Sequence, residues 1–448
     1  MTAHVSRRSF VKSTGGLLAG ACLGATPGTA VASTQKPQSR KCDVLVCGGG
    51  PSGVAAAVNA ARLGARTLVV ERYGRLGGMG VTALVGPLMG GVDSPFVREM
   101  LKRIGGRRPV QERLDLDYAD MIHEAGGHIL LHSWATETLR RGRRVTGVRA
   151  LSKEGLQEIH ADMVIDATGD GDVACFAGAA YEIGRFADRR LQPVSIQYRI
   201  AGVDPSRALL CGSEEEALEV RVPEGVWAEV VERGQKSGEL PASIGVIRVY
   251  RSAYETERII NATQVNDIDG TRVADLTRAE LEGRRQAFQV LDFLRKHAPG
   301  FEHAYISAMP SAIGVRETRR IRGVEYLTRE DVISGRKRDD WAVRSADFVV
   351  DIHNPTGPGQ AEGFAAKVKP YDIPYGCLVP EKLDGLLLAG RCISGSHDAH
   401  ASYRVQCIAM AIGAAAGVAG ALCARQKAQP RALDPLKVQQ VLASLPNR

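Results

Sequence analysis

Apolar positions along the chain gather into short unbroken runs that alternate with longer alanine-rich stretches, the punctuation of strands and helices in turn. Cys42 to Cys47 (CDVLVC) predicts a strand, Pro51 to Leu63 a helix, and Thr67 to Val70 (TLVV) a second strand ended by Glu71. Taken together they make a βαβ unit whose strands are parallel and whose crossover is right-handed, which leaves the turn after the first strand open to a ligand. Strand-like runs return at His128 to His132, at Arg144 to Ala150 in a hairpin, at Met163 to Asp166 and at Leu386 to Leu388, and a long small-residue helix follows from about Arg404 to Ala424.

The pattern is less regular between Phe186 and Pro380. Val194 to Ile200, Ile244 to Tyr250 and Phe348 to Ile352 read as strands around a helix beginning at Thr277, where Thr277 and Glu280 match a T-x-x-E capping box ahead of Leu281, Phe288, Leu291 and Leu294 on one face. In the late helix, only Gln406 interrupts the apolar run from Val405 to Ala424. Ala409, Gly413 and Gly417 at spacing four suit close packing on the Pro51 to Leu63 helix as well as they suit a membrane contact, and the preceding strand favours a core helix with no stable membrane span.

Composition changes this picture at the N-terminus and in the choice of partners. The chain has 448 residues, 44% hydrophobic and 24% charged, with a formal net charge of +8; that is globular composition, and aromatics at 5% without a basic block argue against nucleic acid. No Cys/His spacing suits a metal, and most cysteines read as core residues. Residues 1–32 resemble a twin-arginine export signal. Ser6-Arg7-Arg8-Ser9-Phe10-Val11-Lys12 precedes a weakly apolar Gly/Ala/Leu run, and Ala30-Val31-Ala32 offers a cleavage site. The resemblance implies passage through the twin-arginine translocase to a periplasmic or secreted destination, with 33–41 as a linker.

The open turn reads Gly48-Gly49-Gly50-Pro51-Ser52-Gly53, a G-x-G-x-x-G between a predicted strand and a predicted helix. Gly48 permits the tight turn, Gly50 lets a pyrophosphate approach, Gly53 allows helix and strand to pack, and the N-terminus of the helix that opens with Pro51 and Ser52 offers unpaired N–H groups to phosphate. Glu71 is placed to hold a ribose. FAD and NAD both fit this fingerprint, and FAD is favoured because three further segments resemble those of glutathione-reductase-type flavoproteins. Arg72 to Gly78 ends in Gly-Gly after the acidic residue, Asp166-Ala167-Thr168-Gly169-Asp170 closes the returning strand, and Ala389-Gly390-Arg391 closes the late one.

DVLVCGGGPSGVAAAVNAARLGARTLVVER, VIDATGDGDVACFAGA, IGVRETRRI, IPYGCLVP and LLLAGRCISGSHDAHASYRVQCIAMAIGAAAGVAGAL together resemble the FAD-dependent oxidoreductase family, from about residue 42 to 425. The resemblance implies an α/β chain: a Rossmann-like FAD-binding domain of glutathione-reductase type in two pieces, 42–185 and 381–425, interrupted by a mixed α+β substrate domain at 186–380 and followed by a tail at 426–448. It also implies FAD held by Gly48, Gly50, Pro51, Ser52, Gly53, Glu71, Arg72, Gly78, Thr168, Gly169, Asp170, Gly390 and Arg391. One departure stands out. Many relatives carry Gly-Asp where this chain has Gly390-Arg391, and Asp398 is a candidate substitute for the missing acid.

Flavin chemistry needs a group to handle a proton and positive charge near the reduced ring. Ser394 to Arg404 supplies His397, His400, Tyr403 and Arg404, of which His400 is the expected proton carrier and Arg404 the expected cation. Arg316, Glu317, Arg319 and Arg320 read either as a solvated face or as a source of one clamp for an anionic group, with Arg316 the first choice, and His353 and Tyr375 rank below them. The function expected is an exported oxidoreductase moving hydride between flavin and a small organic substrate, an anion being one candidate, with a separate electron donor or acceptor. Two alternatives stay open: an oxidase that uses oxygen, and a flavin-binding accessory protein without turnover.

Overall fold

A computed structural model of the chain describes residues 39–359 and 365–445. The expected export signal and most of the linker lie outside the described residues. Residues 39–41 are the start of the first strand and so do not belong to a linker.

The first core is built on a parallel sheet. Strands β1 (Ser39–Cys47), β2 (Thr67–Val70) and β3 (His128–Leu130) lie side by side, with Val44 opposite Thr67 and Leu68 opposite His128. The apolar runs Val44 to Cys47 and Thr67 to Val70 follow from burial on both faces. A hairpin of β4 (Trp134–Arg141) and β5 (Arg144–Ser152) leads into the long β6 (Gly155–Asp166), whose first half pairs antiparallel with β5 while Glu158 to Asp166 run parallel to β1, Cys47 lying opposite Asp166. Helix α1 (Pro51–Arg62) starts at the end of β1 with Pro51 in its first turn, and ten of its residues are buried.

A second core gathers apolar residues from Val194 to Ile313. A four-stranded antiparallel sheet, β7 (Gln197–Ala201), β8 (Arg248–Arg251), β9 (Glu257–Asn261) and, after the helix α2 (Val273–His297), β10 (Tyr305–Ala308), is ordered β8-β9-β7-β10. Tyr198 and Ile200 belong to this core, and the Tyr198 hydroxyl donates to the Ala287 carbonyl at 3.1 Å. Alternate residues on the same strands, Gln197 and Arg199, are also buried, with Gln197 accepting from the Gly86 amide, so the sheet is covered on both faces.

Two expectations for this region are corrected. Helix α2 begins at Val273 and not at Thr277, whose hydroxyl donates back to the Val273 carbonyl, and Glu280 accepts from the Ile313 amide, so the apparent capping box is interior. Leu291 and Leu294 are buried as predicted, but Leu281 and Phe288 are exposed. The segment after Ile321, included in the predicted interruption, buries its apolar side chains in the first core.

The chain closes with β11 (Leu386–Leu388) parallel to β6, then helices α3 (His397–Tyr403) and α4 (Gln406–Gln426). Every residue of α4 from Cys407 to Ala424 is buried, and the helix lies against α1. It is long and apolar enough to cross a bilayer, and its apolar surface is used inside the protein. Glycine permits the approach: a Cβ at Gly413 would sit 2.0 Å from the Ser52 carbonyl oxygen and one at Gly417 2.2 Å from that of Ala56. Gly417→Ala should therefore force the helices apart and cost about 1–3 kcal/mol, measured as a lower urea midpoint at unchanged slope. The expected tail contains α5 (Pro435–Ser444), which packs Val438 and Leu442 on the first core.

Candidate active site

The ends of β1, β6 and β11 converge with the starts of α1 and α4 on one cavity of about 640 Å³. Of the residues predicted to hold a dinucleotide, all but Gly53 and Asp170 line it. Gly53 packs behind the turn, where a Cβ would fall 1.9 Å from the Gly48 carbonyl oxygen. Gly48, at φ +103°, would press a Cβ to 2.3 Å from the Ala167 oxygen. Gly50 differs from both, because its Cβ would meet only the Gly78 Cα, at 3.8 Å, across the open cavity.

Charged groups are arranged around this cradle. Glu71 accepts from the amides of Gly49 (2.6 Å) and Tyr73 (2.9 Å); burial raises its pKa and those two amides oppose the rise. The Arg72 guanidinium lies over the rings of Tyr73 and Trp134, and Trp134 borders a smaller neighbouring cavity with Glu71 and Asp172. Thr168 is fixed by Asp166, which accepts its hydroxyl at 2.7 Å and the Ala174 amide at 2.8 Å; complete burial raises the Asp166 pKa to about 6. Arg391 donates to Asp170 at 2.9 Å through Nη2 and leaves Nη1 buried without a partner. Gln406 donates to the Val85 carbonyl, while its buried Oε1 has no partner. An opening where glycine has no protein neighbour, lined by an unpaired donor and an unpaired acceptor, fits a dinucleotide with phosphate and heterocycle to bind. Asp398 does not line this cavity; it pairs with Arg329 at 3.4 Å.

Arg404 lines the cradle and also donates to Asp351 at 3.0 Å. On the other side of that pair, His353 Nε2 stands 3.4 Å from the same Asp351 oxygen. His353 in turn lines a second cavity of about 250 Å³ with Arg248, Asn261, Gln264 and Arg316. Burial lowers the His353 pKa to about 3, with Arg316 adding to the effect, so the imidazole is neutral at pH 7. Burial alone would raise the Asp351 carboxyl, but His353, Arg404 and Arg248 hold it well below the ordinary range. Arg248 pairs with Glu214, and Arg404 with Asp351. Arg316 forms no ion pair among the described residues; it donates to the Pro193 carbonyl at 2.9 Å, and burial with nearby Arg404 weakens its hold on a proton.

His400 does not reach the lining of either cavity. It is 1% exposed, edge-on to Tyr403, with Nδ1 unpartnered; burial and then Arg320, Arg404 and Arg391 hold its pKa well below the usual value. His397 pairs with buried Glu317 at 2.9 Å, and Glu317 also pairs with Arg320. Arg319 joins Asp172 at 2.8 Å. The charge run from Arg316 to Arg320 is thus not a solvated face: Glu317 and Arg320 pair within it, and its other partners, His397 and Asp172, lie too far away in sequence for spacing to reveal them. Tyr375 is buried and donates to the Pro430 carbonyl. Sequence reasoning missed Arg248, Tyr250, Asn261, Asp351 and Gln406; only their place in the fold makes them neighbours.

The family described as FAD dependent oxidoreductase matches residues 43–442. A thiamine thiazole synthase of Methanococcus aeolicus is 31% identical over 159 residues, 30% of this chain and 57% of that protein. Digeranylgeranylglycerophospholipid reductase 2 of Methanothermobacter thermautotrophicus is 33% identical over 195 residues, 37% of this chain and 48% of the other. The chain thus spans about half the length of the curated relatives it matches. Among solved structures, a geranylgeranyl bacteriochlorophyll reductase-like protein of Thermoplasma acidophilum is 15% identical with a TM-score of 0.47, covering 90% of this chain and 82% of that one.

Proposed function

Since the chain belongs to the FAD dependent oxidoreductase family, with FAD as its cofactor, we propose that it moves hydride between the flavin and a small organic anion seated on Arg316. The observation that carries this reading is the charge balance beside the cradle. Among the described residues, three guanidinium groups, Arg248, Arg316 and Arg404, meet two carboxylates, Glu214 and Asp351, and the one without an ion pair there is Arg316. A carboxylate on the ligand completes that set, because guanidinium binds it through two parallel hydrogen bonds.

FAD bound in the cradle supplies the site of two-electron hydride transfer. Gly50, Gly78 and the first turn of α1 receive the pyrophosphate, Glu71 the ribose, and Arg391 with Gln406 the polar edges that their unpartnered atoms await. His353, neutral and oriented by Asp351, exchanges the proton that accompanies the hydride. Arg404 holds Asp351 from the cradle side and presents a fixed positive charge to it. A prenyl-lipid substrate, of the kind the reductase relatives are named for, is disfavoured by the polar lining around Arg316.

Anaerobic mixing with candidate anions should bleach the flavin band in one turnover, and Arg316→Gln should raise KM about a hundredfold with flavin content unchanged. Slow recovery of the band in air identifies a dehydrogenase with a separate acceptor, and fast recovery an oxidase. Bleaching that is indifferent to Arg316→Gln would sink the anion assignment, and no bleaching with any anion would leave the accessory reading.

We further propose export through the twin-arginine translocase to the periplasm or beyond, supported by Arg7-Arg8 and the apolar run after them. Arg7→Lys with Arg8→Lys should retain flavin-loaded protein in the cytoplasm, as fractionation would show; normal export would refute the proposal.

A further inference from the structure

We infer that the surface from Phe176 to Arg190 receives a small acidic electron-carrier protein. The inference rests on the reading of the chain as a flavoprotein with a separate electron acceptor, and it gives that acceptor a chemical class and a place to dock. Phe176, Tyr181 and Phe186 are all exposed in this short stretch, in a chain that is only 5% aromatic. Phe186 is fully exposed, and the loop that carries it is closed on itself. The Arg185 amide donates to the Arg190 carbonyl at 2.9 Å and the Arg189 amide to that of Arg185 at 2.8 Å, while Asp188 takes the Arg185 guanidinium at 2.7 Å through both oxygens. A loop so tied presents its ring already ordered, which lowers the cost of docking.

Arginines surround these rings. Arg140 donates to the Ala177 carbonyl at 2.7 Å, the Arg319 guanidinium lies 5.7 Å from the Tyr181 ring centroid, and the Arg322 amide donates to the Ala180 carbonyl. With Arg185, Arg189 and Arg190 they meet four carboxylates, Asp172, Glu182, Asp188 and Asp267, and neither Arg140 nor Arg189 has an ion pair among the described residues. Exposed aromatics among arginines have the composition of an interface centre, and the surplus positive charge selects an acidic partner. Trp134, Leu151 and Leu156 form another exposed row, but the charges beside it, Glu137, Arg149 and Glu158, pair with one another and leave nothing for a partner to match.

Behind this surface stands the wall of the cradle. Arg319 donates to the Asp170 carbonyl at 3.1 Å, and the Asp170 carboxylate accepts from Arg391, which lines the cradle, at 2.9 Å. The strand Tyr181–Ile183 pairs with Arg319–Ile321, and the Gly184 carbonyl accepts from buried Arg320, so surface and wall are fixed to each other. A carrier seated on Tyr181 is thus separated from the cradle by Arg319, Asp170 and Arg391 alone. In each cycle FADH2 would give up two electrons and two protons to become FAD, the protons passing to water and two one-electron carriers being reduced once each.

The test uses the FAD-loaded protein with its flavin reduced by light under argon, so that no substrate is needed. Stopped-flow mixing compares native cytochrome c, which is basic, with succinylated cytochrome c, which carries the same haem on an acidic surface. The succinylated form should be reduced at least tenfold faster at low salt, and the advantage should vanish near 1 M salt, where the Debye length is about 3 Å. Arg140→Glu with Arg189→Glu should slow the succinylated form about tenfold and speed the native one, and Phe186→Ser should slow the succinylated form about fivefold with the salt dependence kept. Uncharged benzoquinone should reoxidise all variants at one rate, and flavin content with melting temperature shows that they are folded. Equal rates for the two cytochromes, or no effect of the arginine variant, would overturn the docking surface and leave a separate acceptor standing. Reoxidation by air faster than by either cytochrome would overturn the separate acceptor itself. Capture of the protein by phosphatidylglycerol vesicles, or a dimer that Phe186→Ser dissociates, without preference for the succinylated form, would overturn the inference and assign the rings to a membrane or to a second copy.

Discussion

Gly50→Val yields a folded protein without flavin. The position is unlike its neighbours in the same turn: a side chain at Gly48 would be driven to 2.3 Å from the Ala167 oxygen and one at Gly53 to 1.9 Å from the Gly48 oxygen, so substitutions there damage the fold. At Gly50 the backbone is at φ −69° and ψ 178°, open to any L residue, and a Cβ meets only the Gly78 Cα at 3.8 Å. Valine therefore costs the apoprotein little while its methyl groups occupy the space beside Gly78 where the proposed site would take the pyrophosphate. FAD affinity should fall by more than a hundredfold, read from the ratio of visible to ultraviolet absorbance and from calorimetry with added FAD, while the urea transition of the apoprotein stays cooperative. Gly50→Ala should fall in between. A variant that is purified with full flavin would show that the dinucleotide lies elsewhere.

The contrast between these glycines also shows how much of the molecule could be read from sequence. The strand, turn and helix from Cys42 to Leu63 carry their signals locally, in an unbroken apolar run followed by glycines at set intervals, and the fold places them as read. The small-residue helix after Arg404 was legible for the same reason, since glycine at spacing four serves close packing, and Gly413 and Gly417 do meet Ser52 and Ala56. Local signals misled where tertiary partners decide the outcome. Thr277 and Glu280 match a capping box, yet Glu280 is taken by the Ile313 amide, 33 residues away. The run from Arg316 to Arg320 resembles a solvated face because its counter-charges, Asp172 and His397, are remote in sequence. Asp351 was invisible as the link between Arg404 and His353 for the same reason, and no periodicity marks Arg248, Asn261 and Gln264 as the walls of one cavity.

His353→Asn keeps FAD and loses turnover by 10²- to 10⁴-fold, the range expected for removal of a general acid or base, whereas His400→Asn stays within about tenfold of the parent. Chain order favoured His400, but placement favours His353. His400 is shut away from both cavities, and burial with three neighbouring guanidinium groups keeps it neutral and without a reason to change charge. His353 lines the cavity of Arg316 and has Asp351 to orient it and to stabilise the charge it gains. Its pH signature follows from its surroundings. With Arg316 unmatched, His353 has a pKa of about 3, so it is a free base across the neutral range. A bound carboxylate offsets Arg316, weakens that repulsion and raises the imidazole pKa in the complex. In the direction that removes hydride from the substrate, the base must be unprotonated, so activity falls as pH drops through its pKa. The acid limb of kcat should then lie at higher pH than the acid limb of kcat/KM, which reports the free enzyme. Asp351→Asn should lose rate as well, since the imidazole then lacks the group that orients it. A His400→Asn variant that retains FAD but loses turnover, beside a nearly normal His353→Asn, would return the proton to the start of α4 and leave Arg316 as a binding residue alone.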